Sequence, residues 1–266
     1  MSYIPFEQRE VLTTRLANIL REYQEGLSIF REFVQNADDA KARRFAIVLD
    51  TTGVLSPLLE GGGDGGGDDD DDGHMTRLAA ATRGPAIYLY NDSVFSEADF
   101  ASISSVGASG KASDPTTIGK YGLGFNVSYH VSDVITFVSR GSFVAFDPHG
   151  RLLPEKLLGL RSPFVDDGWA SGKAGRSCKE LLAPFTALSH LTGWGDGSTE
   201  FRGTLFRLGL RTDAQAKESL LTKRVWAPEE TRRMTAQFAA GADELLLFLQ
   251  TLESIEVWDT ARQLSS

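Results

Sequence analysis

Two stretches of the chain hold residues whose types and spacing could do chemistry. In IGKYGLGFNVSYH, Gly119, Gly122 and Gly124 sit in a loop that runs directly into an apolar helix. Glycine lets a backbone approach a ligand closely and adopt positive φ. The unpaired amides at the start of the following helix offer donors, and the positive end of a dipole, to an anion. A phosphate is the natural guest, although spaced glycines before a helix also make an ordinary tight turn. In IFREFVQNADDAKA, Glu32, Asn36 and Asp39 fall within roughly 60° of one another at about 100° per residue, a single polar stripe. Phe33, Ala37 and Ala40 form the apolar flank beside it. Such a stripe is unusual on a helix bound for a core, yet taken alone it also reads as a solvated face.

The glycines make neither of the common phosphate loops. The dinucleotide fingerprint needs a strand immediately before it and an acidic residue about twenty positions later. A Walker A loop needs a Gly-Lys-Ser/Thr, and none follows here. His130 lies beside Tyr129 and Val131 on the helix after the glycines and reads as a satisfied core or boundary histidine. His74, His149 and His190 are scattered, and with one cysteine, Cys178, they complete no structural zinc site.

The elements that must position these residues show both periodicities. FEQREVLTTRLANILREY and GLSIFREFVQNADDAKA carry helical spacing, the second with Gly26 and Ser28 at its start. RFAIVLD, PAIYLYND, VITFVS, SFVAFD, GTLFRLGLR and SIEVWD read as strands. SEADFASISSVG is a helix with Ser96 as N-cap and Asp99 placed close to a capping box. KELLAPFTALSHL and TRRMTAQFAAGADELLLFLQTL are helical, while the rest of 151–199 gives weak signals. The strands are not separated by the regular helices of a doubly wound sheet. The expected fold class is an α+β two-layer sandwich, with a mixed, largely antiparallel sheet and helices packed on one face.

Composition bounds the rest. The chain has 266 residues, 41% hydrophobic and 24% charged, as in ordinary globular domains. A formal net charge of −9 argues against a nucleic-acid partner, which requires a basic footprint. Much of that charge is local, in the low-complexity segment GGGDGGGDDDDDG. A disordered acidic insertion is expected over about residues 53–84. The start, MSYIPFEQRE, lacks the basic and apolar regions of a signal peptide. No apolar run is long enough to cross a bilayer, which excludes a membrane partner of that kind. One cysteine fits a reducing compartment. These features lead us to expect a single cytoplasmic domain over 1–266, one piece of a longer protein.

The motifs, taken in order, carry a resemblance. Glu32-x-x-x-Asn36-x-x-Asp39-Ala40, a strand ending in Asn91-Asp92, then GASGK, IGKYGLGF and RGTLF resemble the Bergerat fold. That fold is shared by the gyrase, ninety-kilodalton heat-shock chaperone, histidine kinase and MutL superfamily. Within it, QREVLTTRLANIL, FVQNADDAKA, YNDSVFSEADF, GKYGLGFNVSYHVSD, FDPHG and ADELLLFLQTLESI resemble the N-terminal domain of the sacsin family.

The resemblance implies ATP and Mg2+ as ligands. It assigns the magnesium to Asn36, whose side-chain oxygen is a hard donor, and the attacking water to Glu32. Asp39 and Ala40 would line the cleft. Gly119, Gly122, Gly124 and Phe125 would turn backbone amides to the phosphates, and Lys111, in a lid, would neutralise their charge. Thr204 either joins the adenine-side hydrogen bonds or is simply a strand threonine.

One departure stands out. The adenine-reading aspartate of the superfamily sits in an Asp-x-Gly-x-Gly turn, whereas this chain reads Asn91-Asp92-Ser93-Val94-Phe95. Strand register gives Asn91 the aspartate's place, and Asp92 takes it only if the turn slips by one. An asparagine that accepts from the adenine amino group loses the charge-assisted part of the bond. The implied function is an ATP-binding, chaperone-like domain with weak Mg-dependent ATPase activity. It would act as a conformational switch toward client or co-chaperone proteins. The alternative is a degenerate module with little or no nucleotide use that serves as a protein-interaction scaffold.

Overall fold

The computed structural model describes residues 10–56, 71–104, 124–164, 175–194, 200–260 and 262–265. The first half runs α1 (Leu12–Glu22), α2 (Leu27–Asp39), β1 (Arg44–Asp50), α3 (Asp71–Ala81), β2 (Ala86–Asn91) and α4 (Glu97–Ser104). A 3-10 helix (Gly124–His130) leads into β3 (Ile135–Arg140), β4 (Ser142–Phe146) and β5 (Gly159–Pro163). Then follow α5 (Gly175–Thr186), α6 (Ser189–Thr192), β6 (Phe201–Gly209), α7 (Asp213–Glu218) and α8 (Pro228–Ala240). The order closes with α9 (Ala242–Leu246), β7 (Ser254–Asp259) and β8 (Arg262–Ser265).

Among the described residues, eight strands form one sheet in the order β5-β4-β3-β6-β2-β1-β7-β8. β1 and β7 pair in parallel, and the other neighbours are antiparallel. The α+β class with a mixed, largely antiparallel sheet therefore stands. Side chains alternate between faces along each strand, and the alternation divides the core in two. Phe45, Ile47, Ile87, Leu89, Phe137 and Phe206 face α1, α2 and α8. Ala46, Val48, Tyr88, Tyr90, Val138 and Leu205 face the other way, against Leu78 of α3 and Leu181 and Phe185 of α5.

Helices thus cover both faces, where one covered face was expected. β1 is buried along nearly its whole length, and a strand covered on both sides reads as an unbroken apolar run. RFAIVLD is such a run.

The acidic insertion is corrected in part. Residues 57–70 lie outside the described residues, but within the stretch expected to be disordered α3 is a helix that buries Leu78 and Ala79. Before the insertion, Asp50 accepts the amides of Gly53 (2.8 Å), Val54 (3.1 Å) and Leu55 (2.9 Å) and fixes that turn. Ser96 and Asp99 cap α4 reciprocally, the amide of Ser96 donating to Asp99 Oδ2 (2.8 Å) and that of Asp99 to Ser96 Oγ (3.2 Å).

One carboxylate ties the end of α2 to a segment far along the chain. Asp38 accepts the amides of Gln250 (3.0 Å), Thr251 (2.7 Å) and Leu252 (3.0 Å), and the Thr251 hydroxyl (2.8 Å). Burial pushes the Asp38 carboxyl up. The amides of Gln250, Leu252 and Thr251 and the Thr251 hydroxyl outweigh burial and hold it down to about 2.

A depressed folded-state value means that Asp38 contributes stability above about pH 4 and loses it as pH falls toward about 2. Asp38→Asn keeps an acceptor but loses the charge. Urea unfolding at neutral pH is expected to show a loss on the order of 2 kcal/mol. The gap between variant and parent should close as the pH approaches about 2. A gap that stays constant across the acid range would rule out a charged clamp.

Candidate functional site

The site begins where α2 meets the 3-10 helix. α2 starts after Gly26, whose φ of 92° turns the chain into it. It buries Ile29, Phe30, Phe33, Val34 and Ala37. That apolar face leaves Glu32 half-buried at the side, against Gly124. A Cβ built on Gly124 would overlap Glu32 Oε2 and come within 3.0 Å of Glu32 Cδ. The carboxylate therefore lies directly on the bare backbone of the last motif glycine. Burial raises its pKa above the ordinary glutamate value.

The segment that begins at Gly124 is a 3-10 helix of seven residues. Its tight winding limits how many amides it can turn outward. Phe125 anchors its start in the core, edge-on to Phe33 (6.2 Å) and Phe146 (5.7 Å) and tilted against Phe206 (6.0 Å). Arg211 holds its other end. The buried guanidinium donates to the carbonyls of Tyr129 (2.8 Å) and His130 (3.0 Å) and pairs with Asp133 (2.7 Å).

Asn36 follows Glu32 by one turn and is 8% exposed. Its carboxamide has no partner among the described residues. Asp39 accepts from Gln35 Nε2 (3.1 Å) along the same helix. Ala40 turns its carbonyl to the Ser93 hydroxyl (2.7 Å), which joins the end of α2 to the turn after β2.

That turn carries the second half of the site. Asn91 ends β2, 7% exposed, and pairs across the sheet with Thr204. It continues the alternation of Ile87 and Leu89, so its side chain lies on the face that α2 covers. Asn91 Oδ1 accepts the Ser93 amide (3.0 Å). Asp92 is directed elsewhere, accepting the amides of Arg43 (2.9 Å) and Arg44 (3.0 Å). The structure therefore corrects the slipped alternative, in which Asp92 would take the aspartate's place.

For Thr204 the geometry is that of a strand threonine, one of the two alternatives. It is 0% exposed, and its hydroxyl donates to the Ser93 carbonyl (2.8 Å) and touches Ser139 Oγ (2.9 Å). It supports the turn from behind and has no surface of its own for a base. Lys111, Gly119 and Gly122 lie outside the described residues.

His130 departs from the expected satisfied histidine. It is buried; its ring bonds the Tyr23 backbone, but its Nε2 has no hydrogen-bond partner among the described residues. Burial pushes its pKa down and favours the neutral ring. Asp38, Arg211, Ser93 and Ser139 were not singled out from sequence. Each acts through partners remote in the chain, so no local pattern marks them. Among the described residues no three His, Cys, Asp or Glu side chains gather as a metal cluster, and no helix is long and apolar enough to cross a membrane.

Comparison with known proteins now decides the family. A family model described as the Sacsin domain matches residues 9–265. The chain belongs to the sacsin domain family. Human sacsin is 31% identical to it over 254 residues, covering 93% of this chain and 5% of the human protein. The chain thus spans a small fraction of that relative. In this sacsin domain the Glu32–Gly124 contact, the Asn36 carboxamide and the Asn91 turn line one side of the sheet, joined by α2.

An acid whose folded-state pKa is raised costs stability once ionised. Stability is greatest below the ordinary glutamate pKa and falls as pH rises through the higher folded value. Glu32→Gln should therefore raise the melting temperature at pH 7, and the two proteins should converge in acid. Gly124→Ala moves only the end of a flexible side chain, so it should change stability by less than about 1 kcal/mol. It should also return the Glu32 titration, followed by carboxyl NMR, toward the ordinary value. An unchanged Glu32 titration in Gly124→Ala would contradict the contact.

Proposed function

We propose that this sacsin domain is a Bergerat-type nucleotide-binding switch. It takes a nucleoside triphosphate with Mg2+, ATP in the first instance, and hydrolyses it slowly. The observation that carries the reading is the half-buried Glu32 carboxylate, with its raised pKa, resting on the bare backbone of Gly124. A carboxylate with raised affinity for a proton, set on the backbone of a motif glycine, suits a base that prepares water next to a phosphate.

The Asn36 carboxamide, buried and unpartnered among the described residues, fits Mg2+, which prefers hard oxygen donors. When bound, that ion would neutralise phosphate charge. Glu32 would orient the water and accept its proton. The backbone from Gly124 would face the phosphates, while Asp39 and Ala40 would border the cleft from the end of α2. Lys111, Gly119 and Gly122 keep the roles that the resemblance implies.

A second reading, a scaffold for client or co-chaperone proteins with little nucleotide use, draws support from Leu247 and Phe248. These neighbours are 82% and 83% exposed, an apolar pair open to a partner surface.

Calorimetry with ATP and Mg2+ tests the choice. Under the first reading the parent gives saturable binding, Asn36→Ala weakens it at least tenfold, and Glu32→Gln retains binding while turnover disappears. The absence of saturable heat at millimolar nucleotide would leave the scaffold reading.

A further inference from the structure

A cavity of about 620 Å3 lies between the start of α2 and α8. Glu32 is one of its walls, whereas Gly124 and Asn36 are not. The carboxylate is thus shared with the site above, while the rest of this hollow is its own. Its charges fall into two groups. Arg224 engages two of the three carboxylates, pairing with Glu230 and lying 3.6 Å from Glu25. Arg31 and Arg233 are exposed wall residues with no ion pair or hydrogen bond among the described residues. Three guanidiniums therefore balance three carboxylates, and the unpaired remainder is two cations against Glu32.

Two further kinds of donor border the same space. α2 begins here, at Leu27, after an N-cap, Gly26, that has no side chain to cap it, and no acidic residue stands in the first turn. The amides of Leu27 and Ser28 precede the first bond of the helix, which the Ile29 amide makes to the Gly26 carbonyl (3.1 Å). The positive end of this 13-residue helix is left uncompensated. Trp226, another wall, is 6% exposed, and its Nε1–H has no acceptor among the described residues. An indole nitrogen can only donate. A buried donor without an acceptor costs free energy that a ligand's oxygen recovers.

We propose that this cavity binds a small oxyanion, a phosphate- or carboxylate-bearing molecule, between Arg31 and Arg233 at the start of α2. A guanidinium matches either group through paired N–H donors, and a helix N-terminus favours both. The proposal stands on the cavity and its donors and not on the nucleotide reading. The anion lies beside Glu32, and two negative charges at close quarters each disfavour the other. Occupancy therefore holds Glu32 in its protonated form, in which it cannot accept a proton from water.

Titration of the full chain with inorganic phosphate, and separately with succinate, tests the site, followed by proton–nitrogen NMR at the Trp226 indole N–H. A saturable shift with either anion is expected, and the one that saturates at lower concentration identifies the preferred group. Arg31→Gln combined with Arg233→Gln should weaken binding about tenfold or more. Glu32→Gln removes a like charge and should tighten it. No saturation by either anion at millimolar concentration, or binding that the double variant leaves intact, overturns the site. Binding that Asn36→Ala abolishes overturns it too, by placing the anion in the nucleotide cleft. Should the double variant fail to fold, judged by its NMR dispersion, the direction of the Glu32→Gln effect decides.

Discussion

A carboxylate oxygen can occupy the space where a side chain would begin only if the residue beneath it has no side chain. That is the relation between Glu32 and Gly124, and the arrangement of the site follows from it. It removes the carboxylate from part of its water and so raises its proton affinity. What the glycine provides at Gly124 is steric clearance for the end of that side chain and not an unusual φ.

The two partners in that contact are each held from behind. α2 is fixed at its C-terminal end, where Asp38 gathers the amides of Gln250, Thr251 and Leu252. The 3-10 helix is fixed at its far end by Arg211, which satisfies carbonyls that a helix end leaves open. Phe125 sets the near end into a group of aromatic rings. Charged groups at the ends and apolar packing at the middle leave the facing surfaces little freedom. A preorganised site needs that restraint.

The parts of this arrangement that were legible in sequence are those set by local periodicity. The Glu32–Asn36–Asp39 stripe follows from helical spacing, and the strands and the α4 cap from apolar runs and neighbouring residue types. The family was legible because its motifs come in a fixed order. The parts that stayed hidden depend on partners far along the chain. Asp38 and Gln250 lie 212 residues apart, and nothing near Asp38 announces the bond. α3 was obscured by the aspartates at its start, although Leu78 further along buries itself in the second core. β5 and β8 occur where the sequence carries little pattern. Which end of the Asn91 carboxamide is engaged depends on the amide of Ser93, and composition contains no record of such an orientation.

The Asp38 clamp has a mechanical consequence. The exposed pair Leu247 and Phe248 stands one residue short of the amides that Asp38 holds, and Asp38 lies two positions beyond Asn36 on α2. A load applied to that apolar pair reaches the helix that bears Glu32 through the Asp38 hinge and through the packing of Leu249 against the same core. If a ligand at one end stiffens the hinge, thermodynamic reciprocity requires that grip at the other end change by the same factor. Acid strong enough to protonate Asp38 would loosen the coupling of the two ends.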